Sequence, residues 1–103
     1  MIIDPKDPSK LIKKLKEKKL VLYGVGGAGI NIAKWCDENN IDYVFADRNA
    51  LEKQKNTDKP IYLPDDLPVK CPNSNIVISS VVYFDEIKEN LLKMGLPEEN
   101  ILS

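Results

Sequence analysis

No histidine occurs among the 103 residues, so the sequence has neither the commonest general base near neutral pH nor the commonest metal ligand. Cysteine is scarce as well. Cys36 and Cys71 lie 35 positions apart and form no C-x-x-C. With no histidine to assist them, a zinc site and a histidine-dependent catalytic triad are both excluded. Charge of one sign is also missing: 15 basic and 16 acidic residues leave a net charge of −1. No global field draws such a chain to nucleic acid or to an anionic membrane. No apolar run approaches the roughly 18 residues that span a bilayer. Met1-Ile2-Ile3-Asp4-Pro5 lacks the basic and apolar regions of a signal peptide. These absences predict a cytoplasmic protein with no metal and with neither membrane nor nucleic acid as its main partner. The length allows one domain with one modest core, too little for a dinucleotide-binding half and a substrate domain together.

What is present is organised about residues 20–29, Leu-Val-Leu-Tyr-Gly-Val-Gly-Gly-Ala-Gly. A short apolar run stops at Gly24 and gives way to a helical pattern from Ala28, with Gly24, Gly26 and Gly29 spaced G-x-G-x-x-G. In such a strand–turn–helix, Gly24 lets the chain reverse. Gly26 lets a phosphate approach the backbone, and Gly29 lets the helix press against the strand. The helix start offers unpaired N–H groups and the positive end of its dipole. A second apolar run, Tyr43-Val44-Phe45-Ala46, ends in Asp47, which lies 23 positions after Gly24 and 18 after Gly29. This is close to the roughly 20-residue offset at which an acid meets a ribose hydroxyl in a Rossmann βαβ unit.

Taken in order, the chain begins with an amphipathic helix over 10–19. Asp7, Pro8 and Ser9 lead into it, Ser9 serves as N-cap, and Leu11, Ile12 and Leu15 form its apolar stripe. The stripe would dock on the sheet or on a further domain, and the six lysines around it read as a solvated face. Strands follow at 20–23 and 41–46 on either side of a helix over 28–39, which buries Ile30, Ala33, Trp35 and Cys36 and stops at Asn39-Asn40. Residues 47–59 have little apolar periodicity and read as a turn or loop where a full Rossmann unit has a crossover helix. A proline-bounded edge strand at 60–63 leads to a turn or brief helix at 65–68. A buried strand at 75–81 and a helix over 83–94 come next, stopped by Gly95 and Pro97. A last strand begins at 100 and is cut short, which suggests a piece of a longer protein. The expected fold is an α/β Rossmann-like single domain, 20–103, preceded by the helix of 1–19. Its parallel sheet has about five strands in the order 3-2-1-4-5, with helices on both faces.

Ligands of such sheets bind beyond the carboxyl ends of the strands where the order reverses. The loop of Gly24, Gly26, Gly27, Ala28 and Gly29 falls at that edge, with Asp47-Arg48 and Ser79-Ser80. Asp47 is read as a ribose acceptor, with capping of the following turn as the alternative. Arg48 reads as solvated more readily than as a ligand to a base or phosphate. Ser79 and Ser80 read as caps of the next helix before phosphate or sugar donors, and Lys53 and Lys55 are remote phosphate candidates. Catalysis is poorly supported. Tyr83 and Lys88 are five apart and miss the Tyr-x-x-x-Lys spacing, and no nucleophile has a base. Cys36 reads as a buried thiol, and Cys71, before Pro72, leaves a reactive thiol open.

The runs Val-Leu-Tyr-Gly-Val-Gly-Gly-Ala-Gly (21–29), Phe-Ala-Asp-Arg-Asn (45–49), Lys-Pro-Ile-Tyr-Leu-Pro-Asp-Asp-Leu (59–67) and Ile-Val-Ile-Ser-Ser (76–80) resemble a family of small Rossmann-like modules. These stand at the N-terminus of bacterial sugar O- and N-acyltransferases and at the start of nucleotide-sugar dehydratases, and are appended to glycan methyltransferases and glycosyltransferases. The likeness spans about 19–103. It implies a noncatalytic module that binds a nucleotide sugar, UDP-linked, within an enzyme of surface-glycan synthesis. Gly24, Gly26 and Gly27 would lie near the phosphates and Asp47 near the ribose or base. The left-handed helix repeats of the acyltransferases and the catalytic half of the dehydratases are not in this sequence, so the resemblance implies binding rather than catalysis. Two alternatives stand beside it: the NAD(P)-binding half of an oxidoreductase, and a docking domain that has lost its ligand. The partners expected are a nucleotide-containing small molecule, other domains of a parent enzyme, or a second copy of the chain.

Overall fold

The computed structural model describes residues 8–102. Met1 to Asp7 and Ser103 lie outside them, and with them the N-terminal segment, the Asp7 part of the predicted helix start and the end of the predicted last strand. Helix α1 runs over Pro8–Lys16. A proline suits the first helical position because it has no N–H to leave unpaired, so Ser9 lies inside the first turn rather than at the predicted cap. The helix stops at Lys16, and Lys19 instead opens strand β1, Lys19–Tyr23. Helix α2 is Gly27–Glu38 and strand β2 is Val44–Ala46. The stretch expected to be loop contains a single helical turn, α3, Ala50–Lys53, continued by a 3₁₀ turn over Gln54–Asn56. Strand β3, Ile61–Tyr62, is followed by a 3₁₀ turn and the one-turn helix α4, Leu67–Lys70. Strand β4 is Ser74–Ile78, helix α5 is Phe84–Lys93, and β5 is Ile101–Leu102.

All four strand pairings are parallel, and the order is β3-β2-β1-β4-β5. The central strand β1 is apolar throughout because both of its faces are covered. Leu20 and Leu22 face one layer, with Leu15 of α1, Ala33 and Cys36 of α2, and Phe45 and Val77 from the neighbouring strands. Val21 and Tyr23 face the other, with Leu67 of α4, Ile87 and Leu91 of α5, and Ile76 and Ile78. Trp35, Ile30 and Ile32 are only partly buried around the first layer.

The sequence apolar at 75–81 is strand only to Ile78. Beyond it the Ser79 hydroxyl donates to the Tyr23 carbonyl at 2.9 Å, and Val81 and Val82 turn outward, 90 % and 84 % exposed. Buried Asn75 donates from Nδ2 to the Lys14 carbonyl at 3.1 Å. That carbonyl, in the last turn of α1, also accepts the Glu17 N–H at 3.3 Å, and the added Asn75 bond ties the helix to the sheet.

Helices α2 and α5 end alike. Asn40 (φ 57°) and Gly95 (φ 90°) take the left-handed conformation. Ile41 N–H then donates to the Cys36 carbonyl at 2.9 Å, and Leu96 N–H to the Leu91 carbonyl at 3.2 Å. These are the bonds of a Schellman terminus, and each carries its apolar contact inward. Among the described residues no helix is long and apolar enough to cross a membrane.

Candidate functional site

Four of the five glycines, Gly24, Gly26, Gly27 and Gly29, stand in the loop after β1 and the first turn of α2, and they divide into two kinds. Gly24 has φ +110°, and a Cβ there would come within 2.6 Å of Ser79 Oγ. A Cβ on Gly29 would run into the Gly24 carbonyl. Both are therefore demanded by the chain's own packing: one by the reversal, the other by the close approach of α2 to the strand end. Gly26 and Gly27 are different. A Cβ on either would meet nothing within 4 Å, and Gly26 has φ −107°, which any residue adopts. Nothing inside the protein requires glycine at these two positions.

The start of α2 lies at this opening. Gly26 is its N-cap and supplies no side chain to cap it, and the first turn contains no acid. The Gly26 carbonyl accepts the Ile30 N–H at 2.9 Å, so the helix is regular from its first turn. Its leading N–H groups and the positive end of its dipole face solvent beside exposed Gly27 and Ala28. An anion is the group that completes such a terminus.

Asp47 braces the loop from the end of β2. Its Oδ2 accepts the Val25 N–H at 2.9 Å, and its Oδ1 accepts the Asn49 N–H at 2.8 Å. Both roles considered for this residue involve a carboxylate acceptor, and the second of these bonds is the cap of the following turn. Each oxygen keeps a further lone pair for a ligand hydroxyl.

A cleft of about 460 Å³ opens between Asp47 and the start of α5, walled by Tyr23, Gly24, Asp47, Arg48, Ser80, Tyr83 and Glu86 among others. It lies where the strand order reverses between β1 and β4. Of the residues singled out in the sequence, Gly24, Asp47, Arg48 and Ser80 line it. Gly26, Gly27 and Ala28 stand exposed in the adjoining loop and helix start, Gly29 is buried beneath that loop, and Ser79 is held by the Tyr23 carbonyl. Ser80 Oγ accepts the Tyr83 N–H at 3.1 Å, leading the chain into α5 as a cap would. Lys53 and Lys55 are not among the residues lining the cleft.

Tyr23, Tyr83 and Glu86 were not singled out as ligand groups by sequence. Tyr23 precedes Gly24 directly, so a place at the mouth of the loop was there to be read. Glu86, three residues after Tyr83, comes to the cleft only because α5 starts at Phe84. Tyr23 is 6 % exposed, and burial raises the pKa of its hydroxyl above the usual phenol value, with Arg48 beside it pulling the other way. The phenol is thus a protonated donor. Tyr23 forms the floor and Tyr83 stands exposed at the rim, and the space between them remains open.

Neither cysteine belongs to this site. Both are buried, and burial raises both thiol pKa values, that of Cys36 to about 11 with Asp37 adding to it. The reactive thiol left open for Cys71 is corrected by its burial at the end of α4, away from solvent. Among the described residues no group of three or more cysteine, aspartate or glutamate side chains comes together to hold a metal. No family model, curated protein or solved structure matches the chain.

Proposed function

We propose that the chain is a nucleotide-binding module, with a UDP-linked nucleotide sugar as its ligand, serving a larger enzyme of surface-glycan synthesis. One observation carries the binding part. Gly26 and Gly27 lack side chains at positions where the fold would admit them, at an uncapped helix start that follows Gly24 of the cleft wall. A ligand phosphate seated over the loop gives those two glycines a reason, and the helix start supplies its N–H donors. The nucleoside end then lies toward Asp47, Ser80 and Tyr83. The nucleotide sugar and the parent enzyme rest on the resemblance of residues 19–103 alone.

The chemistry expected of the site is recognition. Tyr23 and Ser80 bring hydroxyls and Asp47 and Glu86 carboxylates to the cleft, but no nucleophile is paired with a base there. NAD fits the same loop and acid, so the two ligands are separated by experiment. Thermal unfolding with UDP, UDP-N-acetylglucosamine, NAD, NADP and coenzyme A is the measurement. A ligand present at about 100 times its Kd stabilises by about 2.7 kcal/mol, a shift of about 10–20 °C in a domain of this size. A shift with the UDP compounds is the expected result, and a shift with NAD alone replaces the nucleotide sugar by a dinucleotide. No shift with any of them leaves the docking domain, a reading favoured by the exposed Leu51, Val81 and Val82.

A further inference from the structure

Arg48 is the only arginine in the sequence, and it forms part of the wall of three adjoining clefts at the carboxyl edge of the sheet. Its Nη2 lies 3.9 Å from Oε1 of Glu86. Arg48 follows β2 and Glu86 belongs to the first turn of α5, so the pair reaches across the cleft between Asp47 and Tyr83. The charged side chains lining that cleft are Asp47, Arg48 and Glu86: two negative, one positive, a net of −1. The positive potential of the helix start lies elsewhere, at Gly26 and Gly27.

We propose that Glu86 sets the charge preference of the cleft by holding Arg48, so that the site takes a nucleotide with free ribose hydroxyls and rejects one carrying a further phosphate on the ribose. The inference rests on the nucleotide reading above. Arg48 by itself would be a phosphate receptor, since a guanidinium binds phosphate through two parallel hydrogen bonds. With Glu86 opposite, an added phosphate must displace the carboxylate and then sit between Glu86 and Asp47, which repel it. Rejection by a placed like charge is a common source of specificity. The Arg48 and Glu86 side chains are 57 % and 61 % exposed, so water and salt screen their attraction and a ligand can open the pair. Glu86 is thus a positioning residue that acts through Arg48.

The test is calorimetric titration of the whole chain with UMP and AMP and with their 2′- and 3′-phosphorylated forms, a matched set that differs only in the ribose phosphate. The wild-type protein is expected to bind the unphosphorylated form at least about tenfold more tightly, the scale on which interfacial charge governs choice of partner. Glu86→Gln keeps the shape, removes one negative charge and frees Arg48, so the preference should shrink at least about fivefold or reverse. Adding Arg48→Ala to Glu86→Gln should abolish that gain. Both positions are exposed, and circular dichroism checks that the variants remain folded. An unchanged preference ratio in Glu86→Gln, with the mononucleotide still bound, overturns the role of Glu86 and leaves the nucleotide reading standing. No binding of any of these ligands to the wild-type protein overturns both.

Discussion

The glycines of the loop separate what the fold needs from what a ligand needs. Gly24→Ala forces a side chain into positive φ and against Ser79 Oγ, and should cost about 1–3 kcal/mol of stability. Gly26→Ala meets no atom and no forbidden φ and exchanges only a favoured N-cap residue for a poorer one, so its stability should fall by no more than about 1 kcal/mol. Its nucleotide affinity should fall at least about tenfold, because the Cβ occupies the approach to the loop backbone. Urea denaturation beside ligand titration reads both effects. A Gly26→Ala protein with full affinity would remove the phosphate from the loop. Asp47→Ala acts on both scores. As a ribose acceptor alone it would matter only to the ligand, yet its two bonds to backbone N–H groups predict a loss of about 1–3 kcal/mol in the free protein as well. Denaturant midpoints without ligand measure this directly.

At the scale of elements, each layer is locked by how its helices end. Asn40 carries the left-handed turn after α2 and Gly95 carries it after α5. Glycine adopts this conformation without steric penalty, so Asn40→Gly should leave stability unchanged or raise it by up to about 1 kcal/mol, while Gly95→Ala should lower it by about 1 kcal/mol. Thermal midpoints of the two variants, shifted in opposite directions or with only the second shifted, check the pair. Helix α1 is held by Leu15 within the sheet's own core and by the Asn75 bond to the Lys14 carbonyl. Leu15→Ala should therefore cost about 2–5 kcal/mol, as in other cores. A loss under 1 kcal/mol by chemical denaturation would mean that the helix is not part of the cooperative unit.

The whole molecule should lose stability in alkali. Burial raises the Cys36 thiol from an ordinary value of 9.0 to about 11. Burial and a hydrogen bond to Asp37 raise the Tyr43 phenol from 10.0 to about 12. A group whose proton is held more tightly in the folded state contributes stability that is fully present below its unfolded pKa and lost as pH rises through the folded one. Stability should thus be flat up to about pH 8 and fall between about 9 and 12, by about 2–3 kcal/mol for the thiol alone. Cys36→Ser should flatten the first part of that fall in urea denaturation followed against pH. If the slope is the same with and without the thiol, Cys36 is not its source. Neither thiol should react with an aromatic disulfide reagent at pH 8 until the protein unfolds.

Much of this architecture could be read in advance because it is written in local terms. Continuous apolarity at Leu20 to Tyr23 requires cover on both faces, glycine spacing sets the turn, and Asn39-Asn40 and Gly95 end their helices wherever they occur. With short connections and right-handed crossovers, those elements leave few ways to order the sheet, and 3-2-1-4-5 is the order found. The limits of elements were less legible. Val81 and Val82 are strand-forming residues left outside the sheet beyond the point where Ser79 engages the Tyr23 carbonyl, and residues 47–59 form a helical turn despite their weak periodicity. The glycine spacing already assigns Gly24 to the reversal, Gly29 to helix packing and Gly26 to the approach of a phosphate; packing adds what a Cβ would meet at each, and that Gly27 is as free of neighbours as Gly26. Only the placement of α5 brings Glu86 opposite Arg48, because charges 38 positions apart in the chain interact through distance in space, which no local pattern encodes.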